Sequence, residues 1–170
     1  MDERFAAAFV AAYDFPDSES LVLGAPFQAG ETATGTLIRQ PLAMMNRHGL
    51  IAGATGTGKT RTLQMLAGQL SAAGVPVFLA DMKGDLSGLT TPGAVTPKID
   101  ERCAAIGRPF QPAGCPVEFY SLTGKGGLPL RATVSSFGPL LLSRVLDLNE
   151  TQSSALAMVL KFCDDQGLLL

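Results

Sequence analysis

Residues 53–60 read GATGTGKT and fit G-x-x-x-x-G-K-[ST] at every fixed position, the spacing of a loop that binds phosphate. The chemistry needs glycines so that backbone N–H groups can converge on an anion with no side chain in the way. A helix that follows adds its N-terminal amides and the positive end of its dipole. In this pattern Lys59 reaches the β- and γ-phosphates, and Thr60 places its hydroxyl on Mg²⁺. The expected nucleotide contacts are Gly53, Ala54, Thr55, Gly56, Thr57, Gly58, Lys59, Thr60 and Arg61, with Lys59 also the catalytic cation and Thr60 the metal ligand. A glycine-rich turn that binds nothing matches the same fixed positions by chance in a chain with 19 glycines, but it does not bring a strand before and a helix after.

The elements that must hold this loop are legible on both sides of it. An apolar run at residues 49–52 delivers the chain to the loop, and Leu63, Leu66, Ala67 and Leu70 mark one face of a helix from near Lys59 to Gly74. Residues 75–80 form an unbroken apolar run with β-branched members, which suits a strand buried on both faces of a parallel sheet. The order strand, loop, helix, strand is a right-handed βαβ unit. Upstream, residues 20–23 and 36–39 read as short strands around a turn-rich stretch, giving a β-rich segment over residues 1–45 ahead of a nucleotide-binding core over 46–170. Downstream, Thr96 caps a helix with Pro97 at its first position and Gly107 at its end. Residues 117–120 read as the next strand. Pro139 opens a helix through Leu146, and Asn149 with Gln152 forms a capping box for a last helix with Ala155, Met158, Val159, Phe162 and Cys163 on its face and Gly167 closing it.

Composition bounds the rest. A chain of 170 residues buries about two-thirds of its unfolded surface, and 46% hydrophobic against 16% charged residues provides a core. The formal net charge of −2 supplies no basic field for nucleic acid. Cys103, Cys115 and Cys163 are odd in number and lack C-x-x-C spacing, so neither a disulfide framework nor a zinc site is indicated. The apolar stretch at 4–12 is short and follows Asp2 and Glu3 rather than a basic region, so it is no signal peptide. No apolar run reaches membrane-spanning length. A soluble cytoplasmic protein is expected.

Hydrolysis asks for more than phosphate binding: a carboxylate at the end of a second core strand to hold Mg²⁺ through water, and an acid to orient the attacking water. Two stretches offer candidates. VFLAD, residues 77–81, has the apolar run and Asp81, with Met82 where an acidic partner would stand. FCDD, residues 162–165, has adjacent acids inside a helical pattern, which reads as the solvated end of a helix. Asp81 with Gly84, and Asp85 with Gly88, also fit the D-x-x-G of a GTPase. The guanine-specifying N-K-x-D is absent, and Asp81 ends the strand directly after the loop helix, too early for that order.

NRHGLIAGATGTGKT at residues 46–60, GVPVFLADMKGDLSG at 74–88 and FGPLLLSRVLDLNETQ at 137–152 carry a resemblance across most of the chain. It resembles the N-terminal part of a bacterial family of HerA-like ATP-binding proteins, the YjgR type, within the HerA/FtsK superfamily. The resemblance implies a P-loop NTPase of the RecA-like kind, a three-layer α/β core with a parallel sheet. It also implies ATP and Mg²⁺ as cofactors and, in the full-length protein, a homo-oligomeric ring that moves DNA. By the same resemblance residues 53–60 are the Walker A loop, and Asp81 with Lys83 is the D-x-K element after the second strand, which makes both candidate catalytic residues. In such families the acidic Walker B strand comes after residue 170. The core is therefore expected to be incomplete, to bind Mg-ATP with little or no hydrolysis, and to leave an apolar sheet edge that favours self-association or aggregation, the chain being a monomer or self-associating.

Other residues have two readings each. His48, the one histidine, lies just before the loop strand and reads as a structural or hydrogen-bonding residue rather than a catalytic one. Lys83 and Asp85 sit where α/β sheets place ligand crevices, and a solvated loop accounts for them equally. Lys125, between glycines, is a second phosphate contact or a flexible connection. The functions in contention are the ATP-binding core of a HerA-like DNA helicase or translocase, a nucleotide-binding regulatory module without turnover, a GTPase, and a small-molecule kinase for which no acceptor site or lid is visible.

Overall fold

The computed structural model describes residues 3–168, which fall into two units, Met1–Val117 and Glu118–Leu170. The chain is mixed α/β, and its described residues form three two-stranded sheets.

The first unit opens with α1 (Glu3–Tyr13), a helix at the head of the segment expected to be β-rich. Its alanine-rich run favours helix, and Phe9 and Tyr13, one turn apart, stack with ring centroids 5.9 Å apart. Strands β1 (Ser20–Gly24) and β4 (Ile38–Pro41) pair antiparallel from Ser20↔Pro41 to Gly24↔Ile38, with an irregularity between Val22 and Gly24. The expected second strand thus lies about two residues further on. Within the turn-rich stretch, β2 (Phe27–Gln28) and β3 (Glu31–Thr32) make a small hairpin across Ala29 and Gly30, both with positive φ as a tight two-residue turn demands. Arg39 pairs with Asp17 across the entry to β1.

Helix α2 (Lys59–Ala72) begins where the phosphate-loop pattern placed it. It ends in a Schellman closure: the Gly74 N–H donates to Ser71 O at 3.0 Å, and the Val75 N–H donates to Leu70 O at 2.9 Å. Its most buried positions are Gln64 and Ala67, whereas Leu63 stands exposed, so the packed stripe is rotated from the purely apolar one. The cause is polar: the Gln69 amide docks on the edge of β1, accepting from the Val22 N–H at 2.8 Å and donating to Val22 O at 2.9 Å. Leu21, Val22, Ala33, Ala67 and Leu86 form this unit's buried core. Helix α3 (Pro97–Ile106) is capped by Thr96, whose side chain accepts from the Ile99 N–H, and Gly107 closes it.

The parallel sheet expected on either side of α2 is not formed among the described residues. Residues 49–52 and 75–80 enter no ladder, and Leu50 and Phe78 are 89% and 81% exposed. An apolar run gives a segment the composition of a buried strand, but a parallel ladder forms only where a second strand lies alongside to take its amides and carbonyls.

In the second unit, β5 (Tyr120–Ser121) and β6 (Leu128–Pro129) are parallel, held by Leu128 N–H to Phe119 O at 2.8 Å and Leu130 N–H to Ser121 O at 2.9 Å. The strand expected at 117–120 is reduced to this short pair. Helix α4 (Val134–Val145) is two helical pieces joined at Gly138, and Pro139 opens the second of them. Helix α5 (Glu150–Asp165) starts with the full Asn149–Gln152 capping box, at 2.9 and 3.0 Å, and packs on α4. Its buried residues are Leu160 and Cys163, while Met158, Val159 and Phe162 stay exposed. A helix apolar on two sides offers two stripes, and the one carrying Leu156, Ala157 and Leu160 is the more buried.

Candidate phosphate-binding site

The loop at residues 53–58 is a turn drawn tight around one carbonyl. Ala54 O accepts from Thr57 Oγ1 at 2.8 Å, from the Thr57 N–H at 3.4 Å and from Lys59 Nζ at 2.6 Å. A Cβ at Gly53 would lie 2.6 Å from Thr57 Oγ1, so the close approach at the loop's start requires glycine. Gly58 enters the helix at φ 97°, in the left-handed region that other residues rarely adopt. No side chain caps α2. Its first backbone bond is the Thr62 N–H to Gly58 O at 2.9 Å, so the amides of Gly58, Lys59, Thr60 and Arg61 have no intrahelical acceptor. Residues 53–57 are exposed, with Lys59 and Thr60 half-buried. The arrangement presents a cation and a cluster of unpaired amides at the positive end of a 14-residue helix, which suits an anion.

Across from α2 lies a second loop, built by Asp81. One carboxylate oxygen accepts from the Lys83 N–H at 3.1 Å and the Gly84 N–H at 2.7 Å, and the other accepts from the Leu86 N–H at 3.0 Å. The Leu86 amide first, with those of Lys83, Gly84 and Asp85, holds the Asp81 carboxyl below its ordinary pKa. Asp81 is therefore engaged with its own loop, and Lys83 enters through its backbone N–H. The acid that reaches α2 is Asp85: Thr60 Oγ1 donates to Asp85 Oδ2 at 3.1 Å, and buried Gln64 donates from Nε2 to Asp85 O at 2.9 Å. Gln64 Oε1 accepts from Arg61 Nη1 at 2.8 Å, which anchors one end of the Arg61 guanidinium on α2.

The structure thus gathers Lys59, Thr60, Arg61 and Asp81 around two facing loops, and adds Gln64 and Asp85. Gln64 was missed because a polar residue inside an apolar helical stripe reads as surface. Asp85 was legible as a crevice position at the C-terminal end of a strand, with a solvated loop as its equal reading; its contact with Thr60 was not. His48 is exposed and makes no hydrogen bond to a described residue, so of the structural or hydrogen-bonding role expected of it the second has no partner here. Lys125 lies in the second unit, between Gly124 and Gly126 with positive φ, and its N–H donates to Thr123 Oγ1 at 3.4 Å. Asp164 and Asp165 end α5, and Asp165 accepts from Lys161 at 3.0 Å. Cys103, Cys115 and Cys163 are free. Among the described residues no group of three or more His, Cys, Asp or Glu side chains could hold a metal by itself, and no helix is long and apolar enough to cross a membrane.

Comparisons with curated proteins and with solved structures gave no match. The family model for the helicase HerA-like C-terminal domain matches residues 27–170, which include both loops. The chain belongs to the HerA-like helicase C-terminal family.

Proposed function

We propose that residues 53–61 bind Mg-ATP or Mg-ADP, and that the chain is the nucleotide-binding core of a HerA-like motor ATPase acting on DNA. The observation that carries this reading is the loop itself: the G-x-x-x-x-G-K-T sequence forms a turn into α2, with unpaired amides and Lys59 folded over it onto Ala54 O at 2.6 Å. A phosphate oxygen is a stronger partner for that ammonium than a neutral carbonyl, so nucleotide displaces the Ala54 contact. Mg²⁺, when bound, neutralises phosphate charge, and Thr60 is the residue that would hold it. The oxygen chemistry of Thr60 fits a hard cation. A RecA-like core is part of the same reading, supported by the apolar runs on both sides of α2. The segments at 46–60, 74–88 and 137–152 support the YjgR type within the family. The helicase family match supports DNA as the polymer moved by the full-length protein, and the family resemblance supports a homo-oligomeric ring; the net charge of −2 gives this chain no basic field of its own.

Turnover by this chain is expected at background. Asp81 commits its carboxylate to backbone amides, and rate requires groups that act on the attacking water and on charge developing in the transition state. Calorimetric titration with Mg-ADP, beside phosphate release from the wild type and Asp81→Asn, tests the reading. Saturable binding with background release is the expected result. Absence of binding would overturn the nucleotide site, and robust release that disappears in Asp81→Asn would make Asp81 the magnesium-supporting acid of a complete enzyme.

A further inference from the structure

We propose that Asp85, not Asp81, is the acid on the cation side of the phosphate loop; this rests on nucleotide binding at residues 53–61. The Thr60 hydroxyl donates its single proton to Asp85 Oδ2 at 3.1 Å, which leaves the lone pairs of Thr60 Oγ1 for a divalent cation. A hydroxyl that ligates a cation becomes a stronger donor, so an acceptor already in place is what the ligand needs. The other Asp85 carboxylate oxygen makes no hydrogen bond to a described residue and is available to cation-bound water. Asp81 has less capacity, because three backbone amides already occupy its carboxylate, two on one oxygen and one on the other.

Asp85 is also held in position by groups that its own side chain does not provide. Its carbonyl accepts from Gln64 Nε2 at 2.9 Å, and the Gln64 side chain is buried on α2, one turn beyond Thr60. The residues around it, Gly84 and Leu86, are pinned by the Asp81 carboxylate, and Leu86 is buried. A change at the Asp85 carboxylate therefore leaves the loop's supports intact. The donors at hand are all oxygen, which selects a hard cation of the Mg²⁺ kind. Too few protein ligands are present among the described residues to hold a metal alone, so cation binding must depend on phosphate oxygens.

Electrostatics gives the proposal its signature. Without a cation, a carboxylate beside a phosphate site repels nucleotide; with one, it strengthens the ternary complex. Titration of a fluorescent ADP analogue in EDTA and across a Mg²⁺ series separates the two effects. For Asp85→Asn, the Mg²⁺ concentration at half-effect should rise by about 10–100-fold, as for other residues that orient a metal ligand, while affinity in EDTA is unchanged or tighter. Asp85→Glu should recover part of the Mg²⁺ response. Electron paramagnetic resonance of Mn²⁺ should show bound ion only when ADP is present, and a loss of that signal in Asp85→Asn. A wild-type Mg²⁺ response in Asp85→Asn, or Mn²⁺ bound equally by wild type and variant, overturns the proposal. Wild-type protein that binds no nucleotide in either medium overturns the nucleotide reading on which it rests, a failure distinct from the first.

Discussion

The two loops that face each other in the first unit differ from the two apolar segments that lead into them. In the loops, polar groups find partners within a few positions: Lys59 on Ala54 O, Thr57 on Ala54 O, and the Leu86 amide on Asp81. In the segments at 49–52 and 75–80 no ladder forms, and Leu50 and Phe78 face solvent. The loops are closed by contacts of short sequence separation, so their shape is written locally. A strand is closed only by another strand, so its composition announces a role that its surroundings must complete.

The sharpest break in that comparison comes from the loop side. Lys59→Ala should lower affinity for Mg-ADP by about 10–100-fold, since a hydrogen bond to a charged group contributes about 1.5–3 kcal/mol. Isothermal calorimetry of the variant measures it; equal affinities would reduce Lys59 to a loop clasp on Ala54. Next in size is the join between α2 and β1. Gln69→Ala removes its two hydrogen bonds to Val22 and a longer one, 3.4 Å, to Met65 O, and leaves the Val22 N–H and carbonyl without that partner. A loss of about 2 kcal/mol is expected in urea unfolding at unchanged m-value. No shift in midpoint would show that water replaces the amide.

Asp81 offers a pH test of the second loop. Its pKa is lowered, chiefly by the Leu86 amide, so the carboxylate's contribution is fully present above the ordinary Asp value and is lost as pH falls through the lowered one. Hydrogen exchange at Lys83, Gly84 and Leu86 should therefore speed up in strong acid, after correction for the intrinsic rate, and Asp81→Asn should show the same loosening at neutral pH. Uniform protection across pH would detach the loop from its carboxylate. The smallest effect belongs to the second unit. Asp147 ends the helical turn after α4 at φ 52° with the same bond pair that Gly74, Gly107 and Gly167 make after their helices. Asp147→Gly should stabilise the unit by about 0.5–1 kcal/mol by relieving a left-handed conformation, read as a higher thermal midpoint.

What was legible in the sequence follows the same divide. The start of α2, the Thr96 and Asn149 caps and the glycine closures are set by residues within one turn of each other, and the structure has them where the spacing put them. Three things needed information that no single stretch carries. The packed stripe of α2 turns on Gln69 meeting Val22, 47 positions away. The buried side of α5 depends on which of two apolar stripes meets α4. The sheet expected around the phosphate loop depends on neighbours that composition does not supply. At the candidate site, residue types singled out Lys59 and Thr60 as expectations, but only the fold of residues 81–86 shows that Asp81 turns inward to its own amides while Asp85 reaches Thr60.

The central claim is that the unpaired amides at the start of α2 receive the phosphates of a nucleotide. Amide NMR of the labelled chain during titration with Mg-ADP tests it most directly. Saturable shifts concentrated at Gly56, Gly58, Lys59, Thr60 and Arg61 are expected, with a weaker response at Asp85 and none at Lys125. Shifts that saturate elsewhere while these amides stay still would contradict it.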